Sequence, residues 1–334
     1  MLFLQKIISK KYYGENILVA NRLQISRQYR SIFRSLCLFS CNQEKSRQES
    51  PLKTIKGSKM KDANMYTGAQ LLVNALETND TEVVFGVPGE SYLAVLDAFY
   101  EKTDIDFIVC RQEGGAAMMA DAYGKLKGRP GICFVTRGPG ATNASAGVHI
   151  AFQDSSPMIL FIGQVSRSML DREAFQEIDY KKMFADMSKW TAQINDPARV
   201  PEYVSRAFHI AMSGRPGPVV LALPEDMLTE IAPPTCISIA QKIEAHPGKN
   251  ALKKFNQLLS TAKKPLVILG GSDWNMDACE NFQRFAEKNN LPVACAFRCQ
   301  HLFDNKHPLY VGDVGIGINP SLANRVRGSD LLIA

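Results

Sequence analysis

From Tyr66 onward the chain alternates between two apolar patterns. In one, apolar residues recur at helical spacing: Leu71, Leu72, Ala75 and Leu76 follow a capping Thr67, and Tyr92, Leu93, Val95, Leu96 and Phe99 repeat the arrangement. In the other, short runs are almost wholly apolar, at residues 83–85, 105–110, 131–136, 158–162 and 218–223, with Asp106 the one charge among them. Strands apolar on both faces belong to a parallel sheet covered by helices on each side, and the intervening helices are expected at 114–127, 144–153 and 200–212. The stretch 166–196 reads as a polar connection, and Gly138-Pro139-Gly140 as a loop before the helix at 144. A first α/β domain of the doubly wound parallel-sheet class thus spans 65–232, followed by a Pro- and Lys-bearing linker at 233–249. Residues 250–334 carry a second α/β set: helix 252–262, strand 265–269, helix 277–288, strand 292–296 and a final strand-like run at 330–334. A parallel strand normally needs a crossover beyond it, so this second domain is expected to be incomplete.

Composition narrows the classes. The 334 residues are 46% hydrophobic and 22% charged, which suits two globular domains and excludes a disordered or fibrous chain. No apolar run approaches the roughly 18–20 residues of a spanning helix, so no membrane role is expected. The eight cysteines include no CxxC pair and read as reduced thiols; no metal site is assigned to them. The net charge of +6 is unevenly placed: residues 1–60 hold twelve Lys/Arg and three acids, the remainder 27 and 30. A slightly acidic body gives no footprint for nucleic acid. Residues 1–64 form a basic, Ser-rich leader, open to three readings: a mitochondrial-type transit segment, a disordered tail, or sequence upstream of a start at Met60 or Met65. The expected compartment is the mitochondrion in the first case and the cytoplasm otherwise.

Three features sit where strands end and helices begin. Phe85-Gly86-Val87-Pro88-Gly89 closes one strand, Glu113 follows the strand ending at Cys110, and Thr136-Arg137-Gly138-Pro139-Gly140-Ala141-Thr142-Asn143 follows another. In doubly wound sheets this edge binds ligands, and Gly-rich turns there let a flat or anionic group approach the backbone. Singly, each also reads as turn punctuation or as a first-turn acid.

In order and together, these features resemble the thiamine-diphosphate-dependent enzymes of the acetolactate synthase large-subunit type. The resemblance runs from about Tyr66 to Ala334 through FGVPGESYLAVLDAF, RQEGGAAMMADAYGK, TRGPGATNASAGVHIAFQDSSPMI, GQV with AFQEID, SGRPGPVVLALPED and HPLYVGDVGIG. It implies a pyrimidine-binding domain at 65–232 and part of an FAD-binding-like central domain at 250–334. It also implies thiamine diphosphate as cofactor, with Gly89, Glu113 and Gln164 lining its site. Glu113 would be the catalytic acid, bonding a ring nitrogen of the aminopyrimidine so that the cofactor's own nitrogen can take up a thiazolium proton. Phe175, Gln176 and Lys189 would face the substrate, and Arg215, Gly312, Asp313 and Gly315 would hold FAD. The implied reaction decarboxylates a 2-oxo acid such as pyruvate and transfers two carbons to a second 2-oxo acid; other decarboxylases or carboligases of the superfamily, or a non-catalytic subunit, are the alternatives.

Departures from the family pattern fall at the site. Arg111-Gln112-Glu113-Gly114 stands where Arg-His-Glu-Gln is usual, and Arg137 where serine is common. The family's Mg²⁺-binding Gly-Asp-Gly motif is not matched, since Gly312-Asp313 is followed by Val314. Mg²⁺ is therefore expected only if a partner chain supplies its ligands, and the chain by itself is expected to be silent. The implied assembly is a homodimer or a pairing with a chain that carries the diphosphate-binding domain.

Overall fold

The computed structural model describes residues 65–101, 104–243, 245–272 and 274–334; the basic leader lies outside the described residues. Among the described residues, no helix is long and apolar enough to cross a membrane.

The first domain is built on six parallel strands: β2 (Val83–Gly86), β3 (Asp106–Val109), β4 (Gly131–Val135), β5 (Met158–Gln164), β6 (Trp190–Gln193) and β7 (Pro218–Pro224). They lie in the order β3-β2-β4-β5-β7-β6. A two-residue antiparallel pair, β1 (Tyr66–Thr67) with β8 (Ile231–Ala232), joins the beginning of the domain to its end. Strands β4, β5 and β7 are buried along their whole length, as the uniformly apolar runs require.

The strand alternation divides the core. Ile132, Phe134, Ile159, Phe161, Val219 and Leu221 face α1 (Gly68–Thr78), α2 (Leu93–Tyr100) and α6 (Val200–Met212). Here large side chains fill the space, with Phe134 stacked on Phe161 at 4.7 Å. Cys133, Val135, Leu160, Ile162 and Val220 point the other way, towards α3 (Glu113–Lys127) and α4 (Gly138–Asp154). That layer is made of small residues (Ala116, Ala117, Ala120, Ala141, Ala144, Ala151), so the two helices approach closely. A Cβ on Gly147 would lie 2.5 Å from the Cβ of Ala117.

Two elements differ from the sequence reading. Gly138-Pro139-Gly140 is the first turn of α4 and no loop, because proline is favoured at the start of a helix, where its missing N–H is not needed. The stretch 166–196 is no mere connection: it holds the short helix α5 (Tyr180–Met183) and the edge strand β6, paired in parallel with β7. β6 is only half-buried, so it lacks the apolar run that marks the central strands.

A short helix α7 (Glu225–Thr229) follows β7. Beyond the linker come α8 (Lys249–Thr261), β9 (Pro265–Leu269), α9 (Met276–Asn289), β10 (Val293–Cys295), β11 (Tyr310–Asp313), α10 (Pro320–Gly328) and β12 (Leu331–Ile333). The sheet is parallel, ordered β11-β10-β9-β12. Its reversal of direction at β9 is a topological switch point. The strand-like run at 330–334 therefore has a place in the sheet, beside β9. β11 and α10, which the apolar pattern did not mark, complete the set.

Candidate cofactor site

Every strand of the six-stranded sheet runs the same way, so its C-terminal ends form one edge, and half of the ten singled-out residues collect there. Glu113 opens α3, in the first turn, where the helix dipole favours an acid. Its N-cap is Gln112, whose side chain accepts from the Gly115 N–H at 2.7 Å. The close α3–α4 packing brings Asn143 alongside, and its amide donates to Glu113 Oε2 at 2.9 Å. Among the described residues Glu113 makes no other hydrogen bond, which leaves Oε1 open. That oxygen faces Gly140, where a Cβ would sit 3.7 Å away.

The loop after β2 closes against the same point. A Cβ on Gly89 would lie 2.5 Å from Thr136 Cβ, so only glycine lets that loop come so near. Ser91, fully buried, shares a hydrogen bond with Thr136 at 2.8 Å. Tyr92 donates to the Val87 carbonyl. Burial, with smaller contributions from Cys133 and Glu113, holds its phenol far above the usual range. Arg137, buried at the start of α4, pairs with Glu90 and lies 3.7 Å from Glu225, drawing the ends of β2, β4 and β7 together.

Gln164 ends β5 at this edge, but both ends of its amide are engaged: Nε2 donates to Ile178 at 3.0 Å and Oε1 accepts from Val165 at 2.9 Å. Gln176 lies over the start of α4, its carbonyl accepting from the Gly138 N–H at 3.0 Å. Its neighbour Phe175 is 73% exposed. Gly89, Glu113, Gln164, Phe175 and Gln176 thus share one edge of the sheet.

The other singled-out residues stand elsewhere. Lys189 precedes β6, at the opposite edge. Its ammonium donates to the carbonyls of Ile210 and, at 2.6 Å, Ser213, where α6 ends, and burial lowers its pKa. Arg215 also lies at that opposite edge, bonded to Ser155 Oγ at 2.7 Å and to the Phe152 and Gln153 carbonyls at the end of α4. Gly312, Asp313 and Gly315 lie at the C-terminal edge of the second sheet, where Asp313 accepts from the Gly315 N–H at 3.2 Å. Gly312 has φ +113°, a conformation that favours glycine.

A polar seam links these last two places. Asp154, at the end of α4, pairs with Lys125 at 2.5 Å and with Arg298 from the loop after β10. Beside Arg298, Phe297 packs so close to Gly315 that a Cβ there would lie 2.9 Å from its ring. The α4 terminus that Arg215 binds and the loop after β10 that packs on Gly315 are therefore bridged by the Asp154–Arg298 ion pair. The sequence reading had not singled out Asn143, Ser91 or Arg298. Asn143 and Ser91 lie inside the quoted stretches, where nothing local marks their contacts, and Arg298 lies outside them.

This edge, with an acid opening a helix beside two close-packed glycine turns, has the arrangement at which doubly wound α/β proteins bind nucleotides or cofactors. Residues 66–183 match the family described as "Thiamine pyrophosphate enzyme, N-terminal TPP binding domain", and residues 252–334 match "Thiamine pyrophosphate enzyme, central domain". The chain belongs to the thiamine pyrophosphate enzyme family. It is 33% identical over 293 residues to the acetolactate synthase large subunit of Corynebacterium glutamicum, covering 86% of this chain and 47% of that protein. It is 35% identical over 276 residues to the probable acetolactate synthase large subunit of Methanocaldococcus jannaschii, covering 80% and 46%. It is 34% identical over 263 residues to the acetolactate synthase large subunit of Lactococcus lactis subsp. lactis, covering 77% and 46%. The chain thus spans about half the length of the curated relatives it matches.

Proposed function

We propose that this chain provides the pyrimidine-binding and central portions of an acetolactate synthase, acting on pyruvate and a second 2-oxo acid. The observation that carries the reading is Glu113: its Oε2 is held by Asn143 while Oε1 stays open towards the Gly140 turn. The residues fit the aminopyrimidine end of thiamine diphosphate, since one carboxyl oxygen is positioned and the other is free for a ring nitrogen. When bound, that cofactor supplies the electron sink for 2-oxo acid decarboxylation. Asn143 fixes the rotamer of Glu113, and Glu113 exchanges a proton or hydrogen bond with the ring nitrogen. Gly89 keeps the wall thin where a flat ring must pass. Phe175 and Gln176 face the substrate from the loop above α4.

Mg²⁺ does not fit the described residues, among which no group of three or more His, Cys, Asp or Glu side chains could hold a metal ion. Its ligands would come from other polypeptide, in a homodimer or a chain with a diphosphate-binding domain. The exposed Met118 and Met119 on α3, a turn beyond Glu113, offer an apolar face for such a partner. FAD is proposed near Arg215, Gly312, Asp313 and Gly315, supported by the neighbouring Asp154–Arg298 ion pair and the left-handed glycines at Gly312 and Gly317. The cytoplasm is the proposed compartment, or the mitochondrion if residues 1–64 act as a transit segment.

The test combines this chain with a complementary diphosphate-binding domain, Mg²⁺, thiamine diphosphate and pyruvate. Acetolactate is expected, and Glu113→Gln should lower kcat by roughly 10²–10⁴, the usual worth of a general acid–base group. Turnover of an unrelated acid alone would favour another decarboxylase, and an unaffected Glu113→Gln enzyme would remove Glu113 from the mechanism.

A further inference from the structure

Six residues of the loop between β5 and α5 contain three non-glycine residues in the left-handed region: Asp171 (φ +60°), Glu173 (φ +54°) and Gln176 (φ +65°). Glutamate and glutamine rarely adopt this conformation, because their Cβ crowds the carbonyl. Such a cluster persists only where neighbouring bonds over-determine it.

The bonds that do so converge on one side chain. Glu177 Oε1 accepts from the Asp171 N–H at 2.7 Å, and Oε2 accepts from the Ala174 N–H at 3.0 Å. The Glu177 N–H in turn donates to the Ala174 carbonyl at 3.0 Å, closing the loop on itself. Beyond Glu177, the Ile178 carbonyl is held by Gln164 from the end of β5. The strained residue Gln176 makes the contact with the site: its carbonyl takes the Gly138 N–H, the first amide of α4. Gly138 accepts this approach only because it lacks a Cβ, which would lie 2.9 Å from that carbonyl.

We infer that Glu177 is the positioning residue of this segment: its two carboxylate oxygens hold a strained strap that places Phe175 and Gln176 over the first turn of α4. Glu177 is turned into its own loop and acts only through the backbone. Calling Phe175 and Gln176 substrate-facing rests on the function proposed above; the strap itself does not. Because two separate oxygens each bind one amide, the carboxylate cannot be replaced by a group with a single acceptor. Because the loop is strained, removing the clamp should release it even while the domain stays folded.

Site-resolved amide hydrogen exchange on the whole chain tests this without cofactor or turnover, so the outcome is independent of the proposed reaction. Glu177→Gln, which keeps one acceptor, should speed exchange several-fold at either Asp171 or Ala174 while sparing the other. Glu177→Ala should speed both, and Gly138 with them, while the β4 and β5 amides keep their protection. Adding Glu173→Gly to Glu177→Ala relieves part of the strain and should restore protection at Gly138. Unchanged exchange at Gly138 in Glu177→Ala would overturn the inference. So would a uniform rise across the first domain in both Glu177 variants, since that is general destabilisation and not release of a strap.

Discussion

Lys189 shows how a single side chain can be read two ways. The family resemblance implies a substrate-facing cation here, yet its ammonium lies among the last carbonyls of α6, bonded to Ile210 and Ser213. Cations stabilise that end of a helix by supplying the donors its carbonyls lack. Lys189→Met keeps the aliphatic stem and removes those donors. It should lower the unfolding temperature measurably and leave the response to thiamine diphosphate unchanged; a shift in substrate KM with unaltered stability would restore the substrate role. The place of Glu113 at the start of a helix after a strand was legible from the sequence. The role expected of it came from the family resemblance, since a first-turn acid also stabilises a helix on its own. Asn143 was not legible, since its contact with Glu113 crosses 30 residues and exists only once α3 and α4 pack. The direction in which Lys189 points is likewise decided by tertiary structure.

At the scale of elements, the α3–α4 pair does most to define the site. Ala116, Ala117, Ala120, Gly140, Ala144 and Gly147 let the helices come close enough for Asn143 to reach Glu113. A larger residue in this seam would separate them. Gly147→Val places side-chain atoms where even a Cβ meets the Ala117 carbonyl carbon at 2.8 Å and the Met118 nitrogen at 2.9 Å. Backbone cannot yield as a side-chain tip does, so overpacking should cost about 1–3 kcal/mol. That corresponds to a fall in unfolding temperature of roughly 2–4 °C per kcal/mol, readable by calorimetry. An unchanged midpoint would mean that the seam tolerates expansion. The same small residues explain what the apolar pattern missed. Ala and Gly give little contrast between faces, so the start of α4 read as a loop, whereas α6, with Val204, Phe208 and Met212 buried on one side, was placed to the residue. The half-buried β6 and the Gly-bearing β11 were missed for the related reason that partial burial permits mixed composition.

Over the whole molecule, the two sheets present their C-terminal edges to different chemistry, and the charge around the first edge bears on what the chain can do by itself. Glu90, Glu113 and Glu225 lie at that edge with two cations: Arg137, buried and already paired with Glu90, and the exposed Arg111, two residues before Glu113. An aminopyrimidine is neutral and meets Glu113 favourably; a diphosphate brings negative charge towards carboxylates, with no metal cluster among the described residues to offset it. One exposed arginine against three carboxylates is a weak anchor, so the diphosphate is expected to be held mainly by groups outside this edge. Without that hold the thiazolium is not kept against the aminopyrimidine, and the orientation that can supply roughly 7–11 kcal/mol of rate enhancement is lost. Two measurements on the 334-residue chain follow. Calorimetry in the presence of Mg²⁺ should show thiamine binding at least as well as thiamine diphosphate, and pyruvate should not be consumed until a chain bearing a diphosphate-binding domain is added. A tenfold preference for the diphosphate, or turnover by the isolated chain, would show that an anchor exists within these 334 residues.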